Sequence, residues 1–489
     1  MSAQGEGVVA EGLRAGVARR SVEPPLGIRT AGFSSREHVV EGIDEELSVT
    51  ALVLEGMGRR VCVAALDLCM VPQDIALAWR VAVGDAIGTS ASHVLVNLSH
   101  THSAGALLRT QPEFADQADL LAGYERLLGE RLVEAATAAA DALQPARVGA
   151  GEGQSRIGVQ RRERDRDGST FLGEVPDGPI DPVVGVVRVD DLMGRPIAIL
   201  AAYGCHTVAV GPRSRLASPD FPGPLRRMVE ATLGGTCLFL QGGGGDIMPL
   251  WGMSHDEDPT ADKARIGWML GGEVVRVAAS IRTDVRRGAR VSLPSLLGTG
   301  MTMRPWVPVT GPAVTALDAR SMAVTLDLVP LPTLEEAQRL RAERQADLER
   351  ALAGDSDRGR TIARHFMAWA DGLVAAVERG DRTRTMEVQA IRVNDIVLTG
   401  IASETFSSTT RWIREASPFA HTVPLGYSNG VLCYLPTATD FPDGGWDVRD
   451  RYRVPDLVFQ SYLLPVAIAP DSEARIRDAV AALLAELRD

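Results

Sequence analysis

Apolar positions along the chain fall in short runs separated by amphipathic stretches, so strands and helices are expected to alternate. Residues 47–54 and 61–66 read as two strands joined through Glu55-Gly56-Met57-Gly58, whose glycines suit a hairpin turn. An alanine-rich helix is expected over 75–86, then a buried strand over 93–97 that ends at Ser99-His100-Thr101-His102-Ser103. Residues 120–143 carry apolar side chains at helical spacing and are closed by Pro145. Strands follow at 183–189 and 197–203 around Met193-Gly194-Arg195, and at 237–240, which runs into Gly242, Gly243, Gly244 and Gly245. Thr333 with Glu336 forms a capping box. Leu334, Ala337, Leu340, Leu348 and Leu352 then stripe a polar helix, which Gly354-Asp355 breaks before a second helix reaches Glu378. Residues 386–398 return to strand through an Asn394-Asp395 turn, and the chain closes on an amphipathic helix capped by Asp471 or Ser472. The expected fold class is α/β: a mixed-sheet core with helices around it, residues 1–489 forming one unit with a helical hairpin inserted over 330–382.

Hydrophobic residues at 45% and charged ones at 23% place the chain among globular proteins. A net charge of −12 argues against nucleic acid and against an anionic membrane surface. No stretch approaches the roughly 20 apolar residues of a transmembrane helix. Glu6, Glu11 and Arg14 leave no apolar run for a secretory signal. Five scattered cysteines without a CxxC suggest neither a disulfide framework nor a thiolate zinc site, and a cytoplasmic location is expected.

The sharpest local chemistry is His100-Thr101-His102 after a strand. In extended chain, residues two apart point the same way, so the two imidazoles converge, as a zinc site would need. Alone the pattern fits ordinary buried histidines equally well. His206, in Tyr203-Gly204-Cys205-His206-Thr207, ends another strand, and the chain has only eight histidines. The glycine run lacks the Lys-Ser/Thr of a P-loop and reads as a tight turn bringing backbone towards the site. Asp67 and Asp220 orient histidines or cap turns, with equal weight. Cys69 and Cys205 read as buried inert thiols, and residues 161–167 mostly as a solvated loop.

Asn97-Leu98-Ser99-His100-Thr101-His102-Ser103 resembles the histidine motif of the neutral/alkaline ceramidase family. Further stretches follow in the family's order: Glu23-Pro24-Pro25-Leu26-Gly27 with Ala31-Gly32-Phe33, Gly158-Val159-Gln160-Arg161-Arg162, Ser218-Pro219-Asp220-Phe221-Pro222-Gly223, Gln241 to Pro249, Ser403-Glu404-Thr405-Phe406 and Asn429 to Thr437. The resemblance covers roughly residues 20–280 and 385–450, without the family's immunoglobulin-like C-terminal domain. It implies one metal ion, Zn²⁺ with Fe²⁺ or Mn²⁺ as options, on His100, His206, Glu404 and Tyr434. It makes His102 and Tyr434 catalytic and Arg161 a catalytic contact to the substrate's acyl or carboxylate group. Gly245 and Asp246 are expected beside the substrate. Two positions depart: Met248 stands where the family has serine, and Trp446 where it has a tyrosine twelve residues after the metal tyrosine. The implied activity is a zinc-dependent amidohydrolase cleaving an amide, ester or lactam of a small acyl compound by metal-activated water, with its substrate contacts altered. A metal-dependent lyase or isomerase, or a non-catalytic binding homologue, are the alternatives, and a homo-oligomer is left open.

Overall fold

The computed structural model describes residues 12–488 apart from 34–35, 37, 108–109, 167–169, 254–259, 294–297, 299, 310–315 and 444–456. An eight-stranded mixed sheet runs in the order Thr236–Gln241, Pro196–Tyr203, Val183–Asp191, Gln144–Gln154, Arg14–Ser21, Ser48–Gly56, Arg59–Leu66, Val94–Leu98. Its two outermost pairs are parallel and the rest antiparallel. A four-stranded sheet is built from Leu317–Asp327, Thr383–Val393, Ile396–Ile401 and His421–Leu425.

Side-chain alternation explains how the layers stack. On Arg59–Leu66, Val61, Val63 and Ala65 face one core, while Cys62, Ala64 and Leu66 face another. On Pro196–Tyr203, Ala198, Leu200 and Ala202 join that first core, and Ile199, Ala201 and Tyr203 turn outward. The shared core also receives Ile391, Val393, Ile396, Leu398 and Val423, so the two sheets pack face to face. Helices Gln73–Ile87 and Ala118–Asp141 cover one half of the large sheet's outer face, and Pro222–Leu233 and Thr260–Ser280 the other. Asp357–Arg379 and Ser472–Arg488 cover the outer face of the small sheet. The result is helix, sheet, sheet, helix. Strands buried on both faces read as continuous apolar runs, which is why these are visible in the sequence.

The expected α/β class with a mixed sheet is the observed one. Met57 and Gly58 both take positive φ, as the Ser48–Gly56/Arg59–Leu66 hairpin turn demands. The Thr333–Glu336 capping box is present, and Leu334–Ala353 packs against Asp357–Arg379 as a helical hairpin. One expectation is corrected. Residues 162–164, read with Arg161 excepted as mostly solvated loop, belong to a strand, Gly158–Arg164, paired with Ile247–Pro249 and Thr170–Val175.

Asp67 and Asp220 take the turn and packing roles, not the histidine-orienting one. Asp67 accepts from Arg226 at 3.0 and 2.8 Å and from the Ser48 amide at 2.9 Å, deep between sheet and helix. Asp220 accepts from the Val210 and Phe221 amides, and burial pushes its pKa up to about 6. Arg226→Leu would leave the Asp67 charge buried with no counter-ion, and a loss of about 3–5 kcal/mol is expected in urea unfolding. A shift below about 1 kcal/mol would show that the pair does not brace the fold. All five cysteines are free and buried.

Candidate metal centre

The two edge strands of the large sheet end beside one another, although they stand at opposite ends of its order. Asn97, on Val94–Leu98, accepts from the Gln241 amide at 2.7 Å and donates to the Gln241 carbonyl at 3.2 Å. The Gln241 side chain donates to the carbonyls of Ser99 and Cys205, at 3.2 and 2.6 Å. These buried amides therefore fix the two histidine-bearing turns relative to each other. A parallel bridge between Thr101 and Thr207 completes the tie.

His100 adopts positive φ, a strained conformation that turns its ring inward from the strand end. Its Nδ1 lies 2.7 Å from the Cys69 carbonyl, and His206 Nδ1 lies 2.6 Å from the Gly244 carbonyl. A carbonyl can only accept, so both Nδ1 atoms carry hydrogen, and both Nε2 atoms present lone pairs inward in the neutral rings. Those Nε2 atoms are 3.0 Å apart, and Glu404 Oε2 lies 3.3 and 3.2 Å from them. The glycine turn is tight for this reason. A Cβ on Gly244 would meet the Cys205 backbone at 2.9 Å, and one on Gly245 the Glu404 carbonyl at 2.6 Å.

Glu404 and Tyr434 are register partners in a short parallel pair, Glu404–Thr405 with Tyr434–Leu435, which delivers both side chains to the same spot. Tyr427 donates to Glu404 Oε2 at 3.3 Å, and Tyr462 donates to Oε1. Arg161 donates to the Tyr434 hydroxyl at 3.0 Å and to the Gly245 carbonyl at 3.1 and 2.5 Å. His102 Nε2 lies 3.2 Å from His100 Nε2, and its buried Nδ1 has no hydrogen-bond partner among the described residues. Its ring is seated by Gly32, where a Cβ would fall 2.4 Å from Cγ, and by the edge of Phe33, centroid to centroid 4.7 Å.

Electrostatics follow from crowding basic and acidic groups out of water. Burial opposes charge on His100, but Glu404 outweighs it and lifts the pKa to about 10. Burial, Arg161 and His100 push His206 down to about 3. Burial with the His100 and His206 charges holds His102 well below the usual imidazole range. Glu404 resists the upward push of burial because His100 stabilises its charge, and it stays well below the carboxylate range. The Tyr427 and Tyr434 phenols are held well above theirs by burial and Glu404. One cation belongs among these donors: without a metal ion a proton takes that place, shared around His100. The donor set, two imidazoles and a carboxylate with a phenol alongside, fits a divalent cation.

No family model matches the chain. It is similar to neutral ceramidase A of Dictyostelium discoideum, 22% identical over 236 residues. That match takes in 46% of this chain and 32% of the relative, so it spans about a third of the relative's length. Two solved structures superpose on 98% of this chain and 75% of their own, both at 17% identity. One, a ceramidase complexed with C2, has a TM-score of 0.67, and the other, neutral ceramidase from Pseudomonas aeruginosa, 0.66. The chain is neutral ceramidase-like in fold.

Within that fold the structure gathers His100, His102, His206, Glu404, Tyr434 and Arg161 into one buried cluster. Gly245 contributes its carbonyl to Arg161. Asp246 is turned elsewhere. Its carboxylate accepts from Ser407 N at 2.7 Å, Ser407 Oγ at 2.9 Å and Gln160 Nε2 at 2.9 Å, and its backbone carbonyl takes the Arg161 amide. Met248 is buried on Ile247–Pro249, opposite Val159. Trp446 lies outside the described residues. Sequence reasoning missed Tyr427, Tyr462, Asn97 and Gln241 as site residues. Asn97 and Gln241 each open a matched motif, which was a usable signal, and Tyr427 sits two residues before another. Tyr462 offered none.

Proposed function

We infer that the chain is a metal-dependent hydrolase that cleaves an amide bond in a small acyl compound, with one divalent ion, Zn²⁺ by donor chemistry, on His100, His206, Glu404 and Tyr434. One observation carries this reading: two Nε2 lone pairs and a carboxylate oxygen aimed at one another within 3.3 Å, with both Nδ1 atoms tied to carbonyls. Removed from water, that arrangement is repulsive unless a cation joins it. When bound, the metal supplies Lewis acidity that polarises a carbonyl and makes water more acidic.

The chain's own residues supply the rest. His102, neutral and next to the ion's ligand, accepts the proton that water gives up and returns it to the leaving amine. Tyr462 gives its one hydroxyl hydrogen to Glu404 and steadies that carboxylate, while Tyr434, held by Arg161, steadies a developing oxyanion. Arg161, braced by Gly245 and Asp246, presents its guanidinium to the acyl or carboxylate end of the substrate. Met248 brings a thioether, which donates no hydrogen bond, so the substrate shell differs from the family's and the preferred substrate is an amide other than ceramide. Five buried free thiols accord with the reducing interior of a cell.

The test combines elemental analysis of protein purified without chelator and turnover of N-acyl amides of graded chain length in oxygen-labelled water. About one divalent ion per chain is expected, with label in the acyl product. Metal-free active protein would sink the metal reading. Turnover that leaves the acyl product unlabelled would sink hydrolysis in favour of elimination.

A further inference from the structure

The second helix of the inserted hairpin, Asp357–Arg379, carries His365 between two segments that are distant in sequence. His365 Nδ1 lies 3.1 Å from Oε2 of the buried Glu113, in the short helix Pro112–Gln117, and Nε2 lies 3.0 Å from the Gln460 carbonyl. A carboxylate and a carbonyl both accept, and a neutral imidazole has one N–H to give. Both contacts are therefore made only by the imidazolium. Burial opposes charge on this ring, but Glu113 outweighs it, the Gln460 carbonyl adds to the effect, and the pKa is raised above the ordinary imidazole value. Other charges nearby have partners of their own. Asp116, also in 112–117, pairs with Arg29 at 2.7 Å and feels Arg364. The helix Leu334–Ala353 is joined to this one by the Arg341–Asp371 pair, at 2.6 Å, further along the axis. Residues 459–464 bring no charged side chain.

What this cation holds is the turn that carries Tyr462. The Gln460 carbonyl also takes the Leu463 amide at 2.9 Å, and the Phe459 carbonyl takes the Tyr462 and Leu464 amides at 3.1 and 3.0 Å. Leu463 has φ of 56°, a left-handed conformation that leucine keeps only where its surroundings hold it. One helical turn beyond His365, Trp369 Nε1 donates to the Leu464 carbonyl at 2.9 Å. One face of one helix thus grips the turn on both sides of Tyr462. The Tyr462 hydroxyl donates to Glu404 Oε1, which leaves Oε2 to face His100 and His206. Its ring stands edge-on to Tyr434, centroid to centroid 5.9 Å.

We propose that His365 is a positioning residue for the metal centre: as an imidazolium it ties Glu113 to Gln460 and so sets Tyr462 against Glu404. Tyr462 in turn decides which carboxylate oxygen faces the histidines, and losing such a partner typically costs about 10–100-fold in metal affinity. The effect on metal rests on the ligand assignment made above; the hold on the turn does not. As pH rises through the raised pKa the ring turns neutral and must release Glu113 or Gln460. The hold is therefore complete below the ordinary imidazole value of about 6.5 and is lost above the raised one.

Two measurements on the full chain test it. Hydrogen–deuterium exchange over 459–464 should quicken about ten-fold in His365→Ala, as one lost hydrogen bond eases local opening. In the parent it should quicken at alkaline pH by more than the intrinsic exchange rate does. Glu113→Gln keeps the shape, and its amide can donate to a neutral ring, so there the turn should stay protected across the same pH range. That variant decides the matter even if His365→Ala does not fold. Zinc competition against a chelator should show affinity lower by about ten-fold in His365→Ala and about 10–100-fold in Tyr462→Phe, with the double variant no worse than Tyr462→Phe. Unchanged exchange in His365→Ala, or a pH response that survives Glu113→Gln, would overturn the proposal, as would zinc losses that multiply in the double variant. A parent that binds no zinc, with exchange responding as expected, would fell the metal reading and leave His365 as the residue that holds Tyr462.

Discussion

The His206→Ala chain, purified gently and without chelator, is expected to hold little of the divalent ion that the parent retains at about one per chain. Its hydrolysis should fall to background. The reason lies in how few donors there are and how each is held. His206 Nε2 is one of two imidazole nitrogens facing Glu404, and its direction is fixed by the bond to the Gly244 carbonyl. Changing only such an orienting partner typically costs 10–100-fold in metal affinity, and removing the donor itself costs more. The fold should survive, because the Thr101–Thr207 bridge and the Asn97–Gln241 amides hold this turn without the imidazole. Glu404→Gln sharpens the test. It keeps the shape of the side chain and leaves an oxygen for Tyr427 or Tyr462, yet removes the only anion among the proposed ligands. Metal loss is expected from both variants, with a Tm no lower than that of the metal-stripped parent. If either retained stoichiometric metal, the ion would sit elsewhere and the ligand assignment would fail.

How far the sequence reveals this arrangement depends on where the deciding interactions lie. Strands buried on both faces announce themselves locally, and Arg59–Leu66, Val94–Leu98, Pro196–Tyr203 and Thr236–Gln241 are legible as apolar runs. Gln144–Gln154 is not. Its Gly149, Gly151 and Gly153 look like loop, but a Cβ at any of them would press on Ile281, Val277 or Glu273. The glycines let the helix Thr260–Ser280 and the residues after it lie against the strand, a long-range requirement with no local signature. Gly158–Arg164 misleads for a related reason: its charged residues are held by partners from other segments, Arg161 by Gly245 and Tyr434, and Arg162 over the Phe406 ring. The histidines are legible because each ends an apolar strand within a matched motif. That the two opposite edges of the sheet meet at Asn97 and Gln241 is not, since sheet order is a property of the whole chain. Tyr462 illustrates the remainder. It reaches Glu404 from the turn that follows a short helix, Leu457–Ser461, beyond the stretch in which a phenol is sought by spacing, and only three-dimensional packing brings it there.

His102 is where the division of labour in the site is most exposed to test. Its Nε2 approaches His100 Nε2 at 3.2 Å, and among the described residues two groups of three donors lie within 4.8 Å of one another, Cys69, His100 and His102 as well as His100, His206 and Glu404, of which only the second contains a carboxylate. The buried Nδ1 without a protein partner among the described residues carries a penalty of about 1–3 kcal/mol. Orphaned buried groups of this kind concentrate where catalysis needs them, and a substrate or water hydroxyl would satisfy it during turnover. The ring's seat is steric, set by Gly32 and Phe33, so its aim can be altered without touching the histidine. His102→Ala is expected to lower kcat by about 10²–10⁴-fold, the usual contribution of a positioned acid–base group, with metal content unchanged. Gly32→Ala should act in the same direction. Gly32 has φ of 95°, and the added methyl would overlap the ring. Combined with His102→Ala, it should add little further loss, because both changes act on one ring. If His102→Ala also empties the centre, His102 is a ligand and the proton must be carried by another group. If Gly32→Ala remains fully active, the seat does not aim the ring, and the role assigned to His102 loses its structural support.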